Sequence, residues 1–129
     1  MANRLSAKKI EELAEELRNF LLGHYLWVDT TIYFNGKAFS TDDRNGNYYY
    51  NDPHHLVVLK DQDPKAYTKY AGDILTMTFE GDLYELLNNP GCFGGDYGYK
   101  LLNEFEAIFK RYGLYYEFGN AWNLTAYQI

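Results

Sequence analysis

The dipeptide Asn35-Gly36 stands between two stretches of alternating apolar and polar residues. A two-residue hairpin turn needs positive φ at its central residues, a conformation that asparagine and glycine adopt at low cost. The dipeptide is therefore the strongest short-range hairpin signal in the chain. Its position predicts that Ile32 lies opposite Phe39, on the face of the sheet that we assign to the core.

Two longer segments have the apolar spacing of amphipathic helices. The first is predicted from Ala7 to Leu22, with Ser6 as N-cap and Gly23 as the left-handed residue that follows the helix. The second is predicted from Asp96, as N-cap, to Tyr112, with Gly113 as its stop signal. Together they supply two apolar surfaces that must be covered by a sheet or by each other.

Charged side chains are expected on the outer surfaces of the helices. Asp82 opens a short predicted helix, and Glu85 follows three residues later, in the arrangement of a capping box. The polar side of the first helix is predicted to face solvent and comprises Lys8, Glu11, Glu12, Glu15 and Arg18.

Strands account for the remaining apolar patterns. They are predicted over residues 56–59 and 74–80, and in a closing hairpin of residues 114–118 and 122–129 that turns at Gly119-Asn120. The element order is then α-β-β-β-β-α-α-β-β. Hairpin-linked strands with helices grouped apart predict an α+β fold, with a mainly antiparallel sheet and helices packed on one face.

A length of 129 residues predicts a single domain, residues 1–129, with one hydrophobic core. Cys92 is the one cysteine, which excludes an intrachain disulfide and a cysteine-based zinc site and favours a cytoplasmic location. The start of the chain lacks the apolar region of a secretory signal. The longest apolar run, Asn19 to Val28, is half of the ~20 residues that a membrane helix needs, so no membrane partner is expected.

The charge distribution limits the kind of ligand. A formal net charge of −6 argues against direct nucleic-acid binding, which depends on Lys and Arg at the phosphates. Residues 70–106 contain seven acids and one base, Lys100, and this segment is called the acidic block below. It predicts either a solvated face or a surface for a basic partner. The acids are Asp73, Glu80, Asp82, Glu85, Asp96, Glu104 and Glu106.

The densest cluster of catalytic residue types is Asp52, His54 and His55. Neighbouring side chains on a strand point to opposite faces, so the two histidines are not expected to share an ion. The favoured interpretation is a loop in which one histidine packs against Tyr48 to Tyr50. The alternative is a small enzyme or ligand-binding pocket in which this cluster is joined by Cys92, otherwise an apolar filler. No metal and no cofactor motif is predicted.

Two segments have the composition of ligand-binding loops. Residues 41–52 resemble a calcium loop, but Thr41 and Asp52 stand where the ligating Asp and Glu belong, so an Asx-rich turn is favoured. Residues 91–98 are glycine-rich and precede a helix, yet they match neither phosphate-binding pattern. We interpret them as a connection anchored by Phe93.

Tyrosine supplies 14 of the residues, and several are consecutive or alternate, so some must point away from the core. The leading hypothesis is a non-enzymatic module whose acidic, tyrosine-rich surface engages another protein, in the sharpest form a basic nucleic-acid-handling protein whose DNA or RNA site it occupies. A third alternative is a homo-oligomer formed through the tyrosines or an edge strand. The predicted interaction residues are Tyr48, Tyr49, Tyr50, Asp82, Glu85, Tyr97, Tyr99, Glu104 and Glu106.

Overall fold

The computed structural model describes residues 5–66, 68, 71–72 and 74–129. They form three α-helices and a six-stranded antiparallel sheet with strand order β3-β2-β1-β4-β6-β5. The predicted α+β class and element order are confirmed, while Asp73 of the acidic block lies outside the described residues. The elements are α1 Ala7–Gly23, β1 Thr30–Phe34, β2 Lys37–Ser40, β3 Val57–Leu59, β4 Leu75–Phe79, α2 Asp82–Asn88, α3 Asp96–Arg111, β5 Leu114–Asn120 and β6 Asn123–Gln128, with 3-10 turns at Pro64–Ala66 and Pro90–Cys92.

The sheet register follows from the first hairpin. Ile32 lies opposite Phe39, as predicted, and opposite Met77 on its other side. Met77 in turn lies opposite Leu124, so one row of buried apolar residues crosses four strands. This side of the sheet, called the helix face, packs against the helices because both surfaces are apolar.

The helices complete the core through the predicted stripes. The N-cap of α1 is Ser6, whose Oγ accepts a hydrogen bond of 3.1 Å from the Lys9 backbone N–H. Phe105 and Phe109 of α3 are both fully buried and meet edge to face, with ring centroids 5.3 Å apart. The core residues of the helices are Ile10, Leu13, Ala14, Leu17, Leu21, Leu83, Leu86, Leu87, Leu101, Phe105, Ile108 and Phe109.

Helix ends differ from the prediction in two respects. Gly23 is not the left-handed residue after α1, because the helix includes it and Tyr25 has the positive φ of 59°. Asp82 and Asp96 are the first helical residues rather than N-caps, and neither helix has a side-chain cap bond. A carboxylate in the first turn still interacts favourably with the helix dipole. Each aspartate therefore marks the start of its helix but lies one position inside it.

Arg18 was predicted to face solvent, and this is wrong. Its side chain is buried, its guanidinium lies over the ring of Trp27 at 5.9 Å, and its Nη2 donates a hydrogen bond of 3.2 Å to the His55 carbonyl. Burial lowers the pKa of Arg18, partly offset by the charge of Asp52. A long arginine can cover apolar surface with its stem and stack its planar head, which explains its place on a mostly charged face.

The closing hairpin turns later than predicted. Asn120 pairs with Asn123, so the turn residues are Ala121 and Trp122 rather than Gly119-Asn120. The Asn120 Oδ1 accepts from the Trp122 backbone N–H at 3.2 Å and from Asn123 Nδ2 at 2.6 Å, which closes the turn with a side chain. Gly119 marks an irregularity in the register instead.

Candidate functional site

The side of the sheet opposite the helices, called the polar face, carries hydroxyl groups where the helix face carries apolar groups. Thr76 and Thr125 lie opposite each other and hydrogen-bond through their Oγ1 atoms at 3.0 Å. Thr31 and Ser40 form a similar pair at 3.2 Å. These side chains are buried although they lie on the side of the sheet opposite the helices.

A groove of about 440 Å³ opens on the polar face between β1, β4 and the loop that follows β2. Its floor is made by Thr31, Tyr33 and Thr78, and its walls come from chain segments that leave the strand ends. The full lining consists of Asp29, Thr30, Thr31, Tyr33, Thr41, Asp42, Arg44, Thr78, Phe79, Glu80 and Trp122.

The groove is acidic. Three carboxylates, from Asp29, Asp42 and Glu80, line it together with the guanidinium of Arg44. Arg44 Nη2 lies 3.5 Å from the Tyr33 hydroxyl, so the cation is held against one wall. Among the residues that the structure describes, no group of three His, Cys, Asp or Glu side chains is arranged to hold a metal ion.

Tyrosines border this groove. The Tyr50 hydroxyl donates a hydrogen bond to Asp29 Oδ1, and this bond raises the pKa of Tyr50 to about 12. Tyr48 lies beside Tyr50, with ring centroids 5.7 Å apart, and the two side chains are 58% and 42% exposed. The structure thus brings two of the predicted interaction residues to the edge of an acidic concavity.

Backbone contacts hold the loop that carries these tyrosines. The Trp27 N–H donates to Asn51 Oδ1 at 2.9 Å, and the Asn51 N–H donates back to the Trp27 carbonyl at 2.9 Å. Tyr49 N–H donates to the Thr41 carbonyl at 2.7 Å. At the tip, Asp43 accepts hydrogen bonds from the N–H groups of Asn45 and Asn47. The predicted Asx-rich turn is confirmed, and the loop forms a fixed wall of the groove.

Asp52, His54 and His55 lie outside the groove. His55 Nδ1 is 2.5 Å from Asp52 Oδ2, and its ring stacks on Tyr49 at 4.7 Å. The interpretation that one loop histidine packs on the tyrosine run is confirmed. The His54 backbone N–H and the His55 side chain both lower the pKa of Asp52. This arrangement closes a loop against α1 through Arg18, and none of the three residues lines the groove.

Cys92 is exposed in a 3-10 turn, so its interpretation as an apolar filler is wrong. Phe93, the next residue, is partly buried against the core, which confirms it as the anchor of this connection. Cys92 does not line the groove either. None of the four residues proposed for an enzyme therefore lines the groove.

The other predicted interaction residues lie on α2 and α3. Tyr97 and Tyr99 are 53% and 54% exposed in the first turn of α3. Residues two positions apart on a helix differ by about 200° around its axis, so Glu104 and Glu106 point in different directions. Glu104 lies 4.0 Å from His24, and Glu106 accepts a hydrogen bond from the Tyr116 hydroxyl. The remaining two, Asp82 and Glu85, are exposed in the first turn of α2.

Sequence reasoning missed most of the groove. Asp29, Asp42, Arg44 and Trp122 were not selected, because they are separated by up to 93 positions and follow no spacing pattern. Glu80 was recognised only as part of the acidic block. A partial signal was the polar half of each alternating strand, whose threonines identify the face on which the groove lies.

Comparison with known proteins leaves the site without a precedent: no family model, curated protein or solved structure matches this chain. Within the described part of the chain, none of the helices has both the length and the apolar character needed to cross a membrane.

We expect Tyr50 to titrate near pH 12 because Asp29 holds its proton. Since the folded pKa lies above the ordinary value of 10.0, this contribution to stability is full below pH 10 and is lost as the pH rises through about 12. Tyrosinate absorbance of the protein minus that of Tyr50→Phe isolates this group. In Asp29→Asn the difference titration should move down toward 10; an unchanged midpoint would contradict the assigned cause.

Proposed function

We propose that this protein is a non-enzymatic interaction module that receives a basic segment of a partner protein in the acidic groove on the polar face. The observation that carries the proposal is the groove itself, in which Asp29, Asp42 and Glu80 line one concavity. The exposed rings of Tyr48 and Tyr50 stand at its border. This proposal keeps the acidic, tyrosine-bearing surface of the sequence analysis and places its centre on different carboxylates.

Electrostatics favour a positively charged occupant. The groove has three carboxylates to one guanidinium, within a chain of net charge −6. A concavity lined by one sign of charge concentrates the field and raises the association rate of an oppositely charged ligand. The same field repels nucleic-acid phosphates, so the ligand is a cationic segment and not the nucleic acid.

The aromatic groups favour a segment of protein over a small cation. Trp122 lines the groove, and guanidinium and ammonium groups bind favourably over the faces of tryptophan and tyrosine rings. Because three carboxylates line the groove, a chain with successive Lys or Arg side chains can pair with more of them than a single cationic group does. That the partner handles nucleic acid stays a prediction.

The experiment uses the fluorescence of Trp122 as the reporter, with capped 12-residue peptides as probes. One peptide alternates Arg with Gly, a second alternates Lys with Gly, and a third alternates Glu with Gly. We expect saturable changes with the two basic peptides that weaken as salt is raised, and none with the acidic peptide. Trp122→Phe should abolish the signal, because Trp27 is buried.

A matched pair of triple variants locates the binding surface. Asp29→Asn, Asp42→Asn and Glu80→Gln together neutralise the groove, and we expect the affinity for the basic peptides to fall by about tenfold or more. Asp82→Asn, Glu85→Gln and Glu104→Gln make the same change in net charge on α2 and α3. Equal losses in both variants would show that net charge alone binds the peptides, and a loss confined to the second would move the site to the acidic block.

A further inference from the structure

The strand β5 lies at one end of the sheet and, within the described part of the chain, pairs only with β6. It runs for seven residues, whereas the opposite edge strand, β3, has three. Two of its aromatic side chains, Tyr115 and Phe118, are 40% and 46% exposed. Long edges with apolar side chains are surfaces on which another strand can add to the sheet.

The pairing with β6 determines which backbone groups point outward. Ile129 N–H donates to the Gly113 carbonyl at 3.0 Å, next to the pair of Leu114 with Gln128. Opposite residues of antiparallel strands alternate between hydrogen-bonded and non-hydrogen-bonded pairs, so Tyr115 and Glu117 turn their N–H and C=O groups toward β6. Those of Leu114, Tyr116 and Phe118 therefore point to the free edge.

We propose that β5 pairs antiparallel with β5 of a second copy of this chain, with Tyr116 on the two-fold axis. In this register Tyr116 exchanges two hydrogen bonds with its own copy, and Leu114 exchanges two with Phe118 of the other copy. Apolar Leu114 and Phe118 then lie opposite each other on the helix face. Tyr115 lies opposite Glu117 on the polar face, where its hydroxyl can donate to the carboxylate.

Charge disfavours one of the two nearest alternative registers, in which the axis moves by one residue along the strand. A two-fold axis at Glu117 would place the two Glu117 carboxylates directly opposite each other, which is unfavourable in a sheet. The irregularity between Phe118 and Asn120 also limits regular pairing to residues 114–118. An isologous pair uses the same edge on both copies and closes, so it yields a dimer rather than a growing ladder.

The flank of α3 is compatible with a second copy. A concavity of about 180 Å³ opens at this edge, lined by Glu106, Lys110, Tyr115 and Tyr116. It carries one carboxylate and one ammonium, and a two-fold arrangement lets Glu106 of each copy pair with Lys110 of the other. This surface is separate from the acidic groove, so the dimer does not depend on the proposed function.

The first test is the mass of the protein in solution, by sedimentation equilibrium from micromolar to millimolar concentration. We expect a monomer–dimer equilibrium. Phe118→Lys should raise its dissociation constant at least tenfold, because the substitution places a lysine opposite Leu114 of the other copy. The matched control is Val58→Lys, which makes the same kind of change at the 41% exposed Val58 of the other edge strand. A strict monomer, or a dimer weakened only by Val58→Lys, would overturn the proposal.

The second test reads the register in a Cys92→Ser background. Tyr115→Cys and Glu117→Cys are made as separate proteins and oxidised alone and in an equimolar mixture. The proposed register pairs position 115 with position 117 of the other copy, within reach of a disulfide, and leaves identical positions too far apart. Covalent dimer should form in the mixture only; crosslinking of either variant alone to the same extent would refute the register.

Discussion

Gly98→Ala should unfold this protein or lower its free energy of unfolding by more than about 3 kcal/mol. A Cβ at position 98 would lie 1.7 Å from the Pro90 carbonyl oxygen and 2.8 Å from the Phe93 Cβ. No rotamer change relieves a clash with a backbone oxygen, so α3 would have to move away from the 3-10 turn Pro90–Cys92. Alanine favours a helix over glycine by about 1 kcal/mol, which is too little to compensate.

The control for this variant is Gly23→Ala. Gly23 is also a helical glycine, but a Cβ there meets nothing within 4 Å. The substitution should leave stability unchanged or raise it by up to about 1 kcal/mol. Urea unfolding followed by circular dichroism measures both variants. If Gly98→Ala were as stable as Gly23→Ala, the close packing of α3 on the 3-10 turn would be wrong.

Trp27→Ala should lower the free energy of unfolding by about 3–5 kcal/mol, a large share of the stability of an ordinary domain. Trp27 is fully buried, and its ring supports the guanidinium of Arg18. Removing the ring leaves a cavity in the core and takes away the aromatic face on which the buried Arg18 guanidinium packs. Arg18 also holds the His55 carbonyl, so the loop that walls the groove should loosen as well.

The matched control is Trp122→Ala, which deletes the same side chain from the border of the groove. Trp122 is only partly buried, and its ring lines the groove rather than the core. We expect less than half of the stability loss of Trp27→Ala, with loss of binding to the basic peptides. Unfolding curves and peptide titrations of both variants separate the fold from the binding surface. Equal stability losses would contradict the assignment of Trp27 as the main core tryptophan.

The sequence predicted those features of the fold that depend on near neighbours in the chain. The turn at Asn35-Gly36, the N-cap Ser6 and the facing of Ile32 and Phe39 are local, because propensity and alternation act over a few residues. The predicted turn of the closing hairpin was displaced from Gly119-Asn120 to Ala121-Trp122. The reason is that the Asn120 side chain accepts the hydrogen bonds that close the turn there.

The tyrosine signal was informative but incomplete. The sequence showed that some tyrosines must be exposed, and Tyr48, Tyr50, Tyr97 and Tyr99 are. It did not show that Tyr50 reaches Asp29 across 21 positions, a contact that ties the tyrosine loop to the acidic groove. Nor did it separate Tyr49, which stacks on His55, from its two neighbours.

By itself, the sequence determined the fold class, the register of the first hairpin, the apolar stripes of α1 and α3 and the acidic character of the chain. Only the tertiary structure decided that Arg18 is buried on Trp27, that Asp29, Asp42 and Glu80 share one groove, and that β5 ends the sheet. The physical reason is distance along the chain. Helix and strand patterns are encoded in neighbouring residues, whereas a groove is lined by side chains that only strand order and loop packing bring together.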